Sequence, residues 1–170
     1  MDATGEILGE PGTPGEVEVR EPGVFSEYWR RPEDTAAAFR GEGFCTGDVA
    51  VVEENYYRLL GLMSVDIIKT GGYTVSALEI EERLREHREV GDCAVMGVPD
   101  QELGERLCGV VVPIDEANVD VYALLAWARD QLAPYKVPEA LRIVDQLPRN
   151  SMGKVQKRDV QDLFAPEGTR

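Results

Sequence analysis

The 170-residue sequence holds only one histidine and three cysteines, and it contains no uninterrupted run of 18 apolar residues. The absence of such a run argues against a membrane-spanning helix. Basic side chains are the scarcer charge, 18 against 32 acidic, which leaves a formal net charge of −14. That balance repels nucleic-acid phosphate and anionic headgroups, so neither nucleic acid nor membrane is expected as a partner. The opening Met-Asp-Ala-Thr-Gly-Glu offers neither the positive nor the apolar region of a secretion signal. Cys45, Cys93 and Cys108 are odd in number and spaced for neither a disulfide framework nor a zinc CxxC pair. Cys93 and Cys108 lie in apolar runs and are expected as small buried hydrophobes in a reducing, cytoplasmic setting. His87 receives no catalytic role, and no metal site is expected.

What is present is the composition of an ordinary globular protein, 43% hydrophobic and 29% charged. The length suits one domain, or a small domain with a fragment of another. Residues 16–20 alternate as a half-exposed strand, and Pro32 followed by Glu33 and Asp34 opens a short helix. Val49–Val52 and Tyr56–Leu60 flank Glu53-Glu54-Asn55 as a hairpin, although the Gly usual after Asn is replaced by Tyr56.

Beyond Gly61 the pattern changes. Two short strands, 66–69 and 73–75, enclose the turn Thr70-Gly71-Gly72. Ser76 and Glu79 form a capping box ahead of an amphipathic helix over 77–88, with Ala77, Ile80, Leu84 and His87 on its inner stripe. Strands are expected at 93–98, 108–114 and 141–144, and helices at 119–132 and 156–164, the last burying Val160, Leu163 and Phe164. The sum is an α+β fold: a β-hairpin plus a three-stranded sheet with helices, closing its own core over 66–164. Residues 1–62 form a smaller β-rich part that would bury too little surface to stand comfortably alone.

Three stretches could carry chemistry. Thr46-Gly47-Asp48 is a turn presenting a carboxylate that could accept two hydrogen bonds from a vicinal diol, although Asp is common in turns for local reasons. Lys69-Thr70-Gly71-Gly72-Tyr73 sets a cation beside a glycine pair that allows close backbone approach or positive φ. Pro148 to Lys154 superficially suggests a phosphate loop, yet Pro148 and Val155 stand where a Walker A loop needs Gly and Ser or Thr, so that loop is excluded. Residues 149–158 nevertheless carry Arg149, Lys154, Lys157 and Arg158 with no acid, a local positive charge suited to an anionic ligand.

Taken in order, Thr46-Gly47-Asp48, Leu60-Gly61, Asp66 to Tyr73 with Ala77 to Glu81, Gly97 to Asp100 with Gly104 to Arg106, Pro134 to Pro138, and Pro148 to Lys154 form a series. From about residue 5 to 164 it closely resembles the C-terminal third of adenylate-forming, AMP-binding enzymes: acyl-CoA synthetases, peptide-synthetase adenylation domains and luciferases. Ser64 to Glu81 looks most like the malonyl-CoA and methylmalonyl-CoA synthetase branch.

The resemblance implies an organisation and a set of roles. Residues 1–62 would be the end of a large AMP-binding domain, 63–66 a hinge, and 67–170 a small C-terminal lid. The family is a ligase of fatty acid metabolism that joins a carboxylic acid to ATP as an acyl-adenylate, then transfers the acyl group to CoA. Asp48, with Thr46, matches the nucleotide-binding turn and its ribose-holding acid, and Lys154 matches the lysine used for adenylation. Asp66 is taken as the hinge residue. Lys69, Gly71, Gly72 and Tyr73 match the loop that replaces Lys154 when CoA attacks. Leu62 stands where the family usually has a nucleotide-approaching Arg, so either Arg58 substitutes or nucleotide binding is weakened. The family's phosphate loop, adenine segment and acyl pocket have no counterpart in the sequence. ATP and Mg2+ would therefore be held through an N-terminal domain acting as partner, and the chain alone is expected to be inactive. A different reading is a stand-alone, non-catalytic lid-like module that docks on a partner or binds CoA or nucleotide weakly.

Overall fold

Long runs of β-branched and small apolar residues, bounded by Gly and Pro, give two separate sheets. The computed structural model describes residues 12–54, 56–114 and 119–164. Asn55, at the expected hairpin tip, and the Gly- and Pro-rich start over 1–11 lie outside them. The chain divides into two compact units between Ser64 and Val65, within the stretch read as a hinge.

In the first unit β1 (Gly15–Val19), α1 (Pro32–Ala38), β2 (Phe39–Arg40), β3 (Gly43–Glu53) and β4 (Tyr56–Leu62) follow in order. β3 is the central strand and pairs antiparallel with β1, β2 and β4. Among the described residues, Val49, Ala50 and Val51 of β3 and Leu60 of β4 are the buried hydrophobics of this unit. Arg40 bridges Glu16 and Glu18 of β1. Glu53 pairs with Tyr56 across the β3–β4 turn, and Glu54 within it takes a positive φ of 47°.

The second unit runs β5 (Ile67–Thr70), β6 (Tyr73–Ser76), α2 (Ala77–Arg85), β7 (Val90–Asp100), β8 (Gly104–Pro113), α3 (Val121–Gln131), β9 (Ala140–Ile143) and α4 (Lys157–Gln161). β7 and β8 pair antiparallel along their length. β9 lies parallel to β8 over Cys108–Val111, and the β5–β6 hairpin joins β8 through Thr70 and Gly104. This is the expected α+β arrangement of a hairpin and a three-stranded sheet. Residues alternate between two cores: Cys93, Val95, Leu107 and Val111 pack with α2 and α3, while Ala94, Met96, Cys108 and Val110 pack with α4. Burial on both faces is why these strands read as continuous apolar runs.

Several expectations are corrected. α2 stops at Arg85 with Glu86 as its C-cap, so His87 lies beyond the helix, its ring edge-on to Trp127 at 5.0 Å. The last helix is one short α segment followed by a 3-10 turn over Asp162–Phe164, and the tighter turn swings Leu163 outward to 41% exposure while Val160 and Phe164 stay buried. β7 and β8 extend beyond their apolar cores because polar residues such as Asp100 and Glu105 still complete the backbone ladder.

Candidate functional site

In the first unit Gly47, at φ 77°, turns the chain so that Asp48 enters the β3 ladder opposite Leu62. Thr46 fixes that turn: its hydroxyl donates to the Val17 carbonyl at 2.9 Å and accepts from the Asp48 amide at 3.0 Å. The half-buried Asp48 carboxylate has no partner among the described residues, leaving both oxygens available. Arg58 sits opposite Val51, four residues along β4 from Leu62, a separation of roughly 13 Å at the usual strand rise. Its guanidinium pairs with Glu53 at 2.7 Å and holds that carboxyl below its ordinary range, helped by the Tyr56 hydroxyl. Arg58 is thus not brought to Asp48.

In the second unit the two lysines lie at opposite ends of the β7–β8 ribbon. At one end Gly71 and Gly72 turn with φ 53° and 82°, the pair of positive angles a two-residue type I′ hairpin requires. The Lys69 amide donates to Glu105 at 2.7 Å, and the Gly71 amide to the Leu103 carbonyl at 3.0 Å. Leu103 is itself held by Asp100, whose carboxylate accepts the Glu102 and Leu103 amides and is pushed to lower pKa by them, Leu103 contributing most. Gly97 leaves room for Glu105: a Cβ there would lie 2.5 Å from its carboxylate and 2.9 Å from Ile68. Tyr73 stacks on Tyr135, centroids 4.3 Å apart and nearly parallel. The Lys69 ammonium is exposed and unpaired among the described residues.

At the other end the loop 149–155 is closed by a bridge between Arg149 and Val155. Asn150 braces its tip, its side-chain oxygen accepting the Met152 amide at 3.0 Å and the Lys154 amide at 2.9 Å. Gly153, at φ 81°, makes the reversal that points Lys154 outward. Arg149 donates to the Gly153 carbonyl and pairs with Asp92 on β7. Lys154 is exposed, and its ammonium has no partner among the described residues. Asp92 and Asp100 are eight residues apart on β7, so the anchors of the two loops are roughly 26 Å apart.

Sequence reasoning missed the charged centre of this unit. Asp66 is buried, and Lys157 reaches it at 2.7 Å while also meeting Glu81 at 2.8 Å. Glu81, 4% exposed, accepts the Val95 amide at 2.8 Å. The only signal was a lysine one turn after Lys154 and an acid among apolar neighbours on α2. Burial pushes the nearby Cys93 thiol up to about 12, which keeps it protonated and inert.

The model of the AMP-binding enzyme C-terminal domain matches residues 79–154, the stretch from α2 to the exposed lysine. Residues 79–154 belong to that family. The alignments with known ligases run further, over nearly the whole chain. Over 177 aligned residues the chain is 47% identical to the mitochondrial malonate–CoA ligase of Mus musculus, covering 100% of this chain and 30% of the relative. A probable CoA ligase of Humulus lupulus is 46% identical, covering 90% and 27%. Among solved structures, ATP-bound MatB from Rhodopseudomonas palustris superposes with a TM-score of 0.83 at 39% identity, covering 91% of this chain and 31% of that one. These relatives bear out the resemblance to acyl-CoA synthetases of the malonate branch. The chain spans about a third of their length or less. Among the described residues no helix is long and apolar enough to cross a membrane.

Proposed function

We propose that this chain is the C-terminal part of an ATP-dependent acyl-CoA synthetase acting on malonate or a similarly small dicarboxylic acid, and that its lid serves the two half-reactions with opposite ends. In the first, a substrate carboxylate oxygen attacks the α-phosphorus of ATP and pyrophosphate leaves. Lys154 supplies positive charge between the two anions, and Asp48 holds the ribose hydroxyls. In the second, the CoA thiol attacks the acyl carbonyl, loses its proton and expels AMP, with Lys69 and the Gly71–Gly72 turn now at the site. The observation that carries this reading is the placement of two exposed lysines at opposite ends of one rigid ribbon. One cation cannot replace the other without reorientation of the domain.

The turning point lies just before Asp66, whose side chain is fixed inside the second unit and forms the anchored edge of the hinge. Among the described residues no three acidic, histidine or cysteine side chains gather to hold a metal. Mg2+ would enter with the ATP phosphates held by the N-terminal partner domain, as the resemblance implies. The buried thiols fit a reducing compartment, cytoplasmic or organellar.

Leu62, opposite Asp48, favours the second reading of a non-catalytic lid, since it can offer the nucleotide no cation. A pyrophosphate-release assay with malonate, methylmalonate, acetate and longer acids separates the two. The 170 residues alone should release none. Joined to the large domain that precedes this region in a malonate–CoA ligase, they should release it with malonate above the longer acids. Release by the chain alone, or an inert joined enzyme that is folded, rejects the synthetase reading.

Gly72→Leu tests the thiol face. No atom lies within 4 Å of the position a Cβ would take, so leucine projects into open space at a turn strain of about 1–2 kcal/mol. Adenylation should persist while CoA transfer falls on the order of 10²-fold, the cost of misplacing a reacting group. Equal loss in both half-reactions would refute separate faces.

A further inference from the structure

We infer that Arg149, backed by Asp92, is a positioning residue for Lys154, tying the lysine's loop to the sheet during adenylation; this rests on the adenylation role proposed above. The guanidinium spans two attachments. One arm donates to the Gly153 carbonyl, the residue immediately before Lys154, and the other pairs with Asp92 on β7. Asp92 is itself fixed, accepting the Cys93 amide at 2.9 Å and facing Arg85 at 3.6 Å, while Arg85 reaches the buried Glu81 at 3.4 Å. A continuous line of charge therefore runs from the core to the loop that carries the lysine.

Asn150 gives the loop tip its shape, but all of its hydrogen bonds to the tip stay within residues 150–154. They leave the tip free to swing as a body about the Arg149–Val155 bridge. Arg149 is the contact that ties the tip to β7, and a fork-shaped cation is the side chain that can hold a carboxylate and a carbonyl together. Its salt bridge is half exposed, 45% for Arg149 and 32% for Asp92, so it contributes little to global stability. Its value lies in where it puts the next cation.

The test uses the joined ligase and measures the half-reactions separately. Arg149→Ala should slow malonate-dependent pyrophosphate release on the order of 10²-fold, as a displacement of about 1 Å would. CoA attack on supplied acyl-adenylate should be unchanged, because the Lys69 end is braced by Asp100, Leu103 and Glu105. Arg149→Lys should recover only part of the loss. In the 170-residue chain, amide hydrogen exchange at Gly153 and Lys154 should accelerate while that at Val95 stays slow. Unchanged adenylation in Arg149→Ala, with Lys154→Ala inactive, overturns the positioning role. Equal loss of both half-reactions also overturns it. If Lys154→Ala adenylates normally, the underlying reading fails instead.

Discussion

Replacing Lys154 with alanine should slow acyl-adenylate formation by on the order of 10²–10³-fold in the joined ligase, the usual cost of removing one preorganised electrostatic stabiliser. The ammonium is exposed and unpaired among the described residues, so truncating it removes no internal contact and should leave stability within about 0.5 kcal/mol. The loop is already shaped by Asn150 and Gly153, so the substitution deletes charge without disturbing the backbone that presents it. Stopped-flow or isotope-exchange measurement of the first half-reaction checks the expected loss. The second half-reaction, started from acyl-adenylate and CoA, should run at its original rate, since the proposed mechanism assigns it to Lys69. Lys154→Arg keeps the charge but spreads it over a planar fork, and it should recover part of the activity. Full adenylation by Lys154→Ala would remove this lysine from the chemistry.

The sequence made the local structure of the second unit legible where short-range chemistry decides it. Ser76 accepts the Glu79 amide as an N-cap should, although the Glu79 carboxylate is taken by Lys136, 57 residues away, at 2.6 Å. The spacing of Leu124, Leu125 and Ala128 recovered α3, whose start is fixed by Asp120 capping Tyr122 and Ala123. What escaped were pairings between distant residues. Four clustered cations over 149–158 suggested one positive patch, yet Arg149 turns back to Asp92 and Lys157 is buried against Asp66 and Glu81. Of the four, only Lys154 and Arg158 are exposed without a partner among the described residues. Local pattern cannot tell an inward lysine from an outward one, because the difference is made by an acid on another element. For the same reason the roles given to Asp48, Lys69 and Lys154 come from resemblance: an exposed side chain carries no internal contact that names what it will meet.

Lys157→Met should destabilise the second unit by about 3–5 kcal/mol, a large part of the roughly 5–15 kcal/mol that holds a domain folded. Lys157 contributes one cation between two buried carboxylates, with side-chain exposures of 12% for Lys157, 11% for Asp66 and 5% for Glu81. Taking it away does more than delete two ion pairs. It leaves two negative charges confined near each other in a low-dielectric interior without the cation that lay between them, although Glu81 keeps the Val95 amide and Arg85. Urea unfolding followed by Trp127 fluorescence in a Trp29→Phe background reads this unit alone, since these are the chain's two tryptophans. Met fills the volume of the lysine stem, so a cavity is not the source of the loss. Adding Asp66→Asn and Glu81→Gln should return most of the stability, because the cost lies in orphaned charge and neutral amides of the same shape do not carry it. A loss below about 1 kcal/mol in Lys157→Met would mean that the triad is hydrated, as surface pairs are. A loss that the triple variant fails to relieve would assign the energy to packing of the lysine stem. If orphaned charge is the source, the triad works as a clamp: it fastens Asp66, the first fixed side chain after the chain enters the second unit, to α2 and α4. The proposed swing of the lid would then end sharply at that residue instead of being absorbed by fraying of β5.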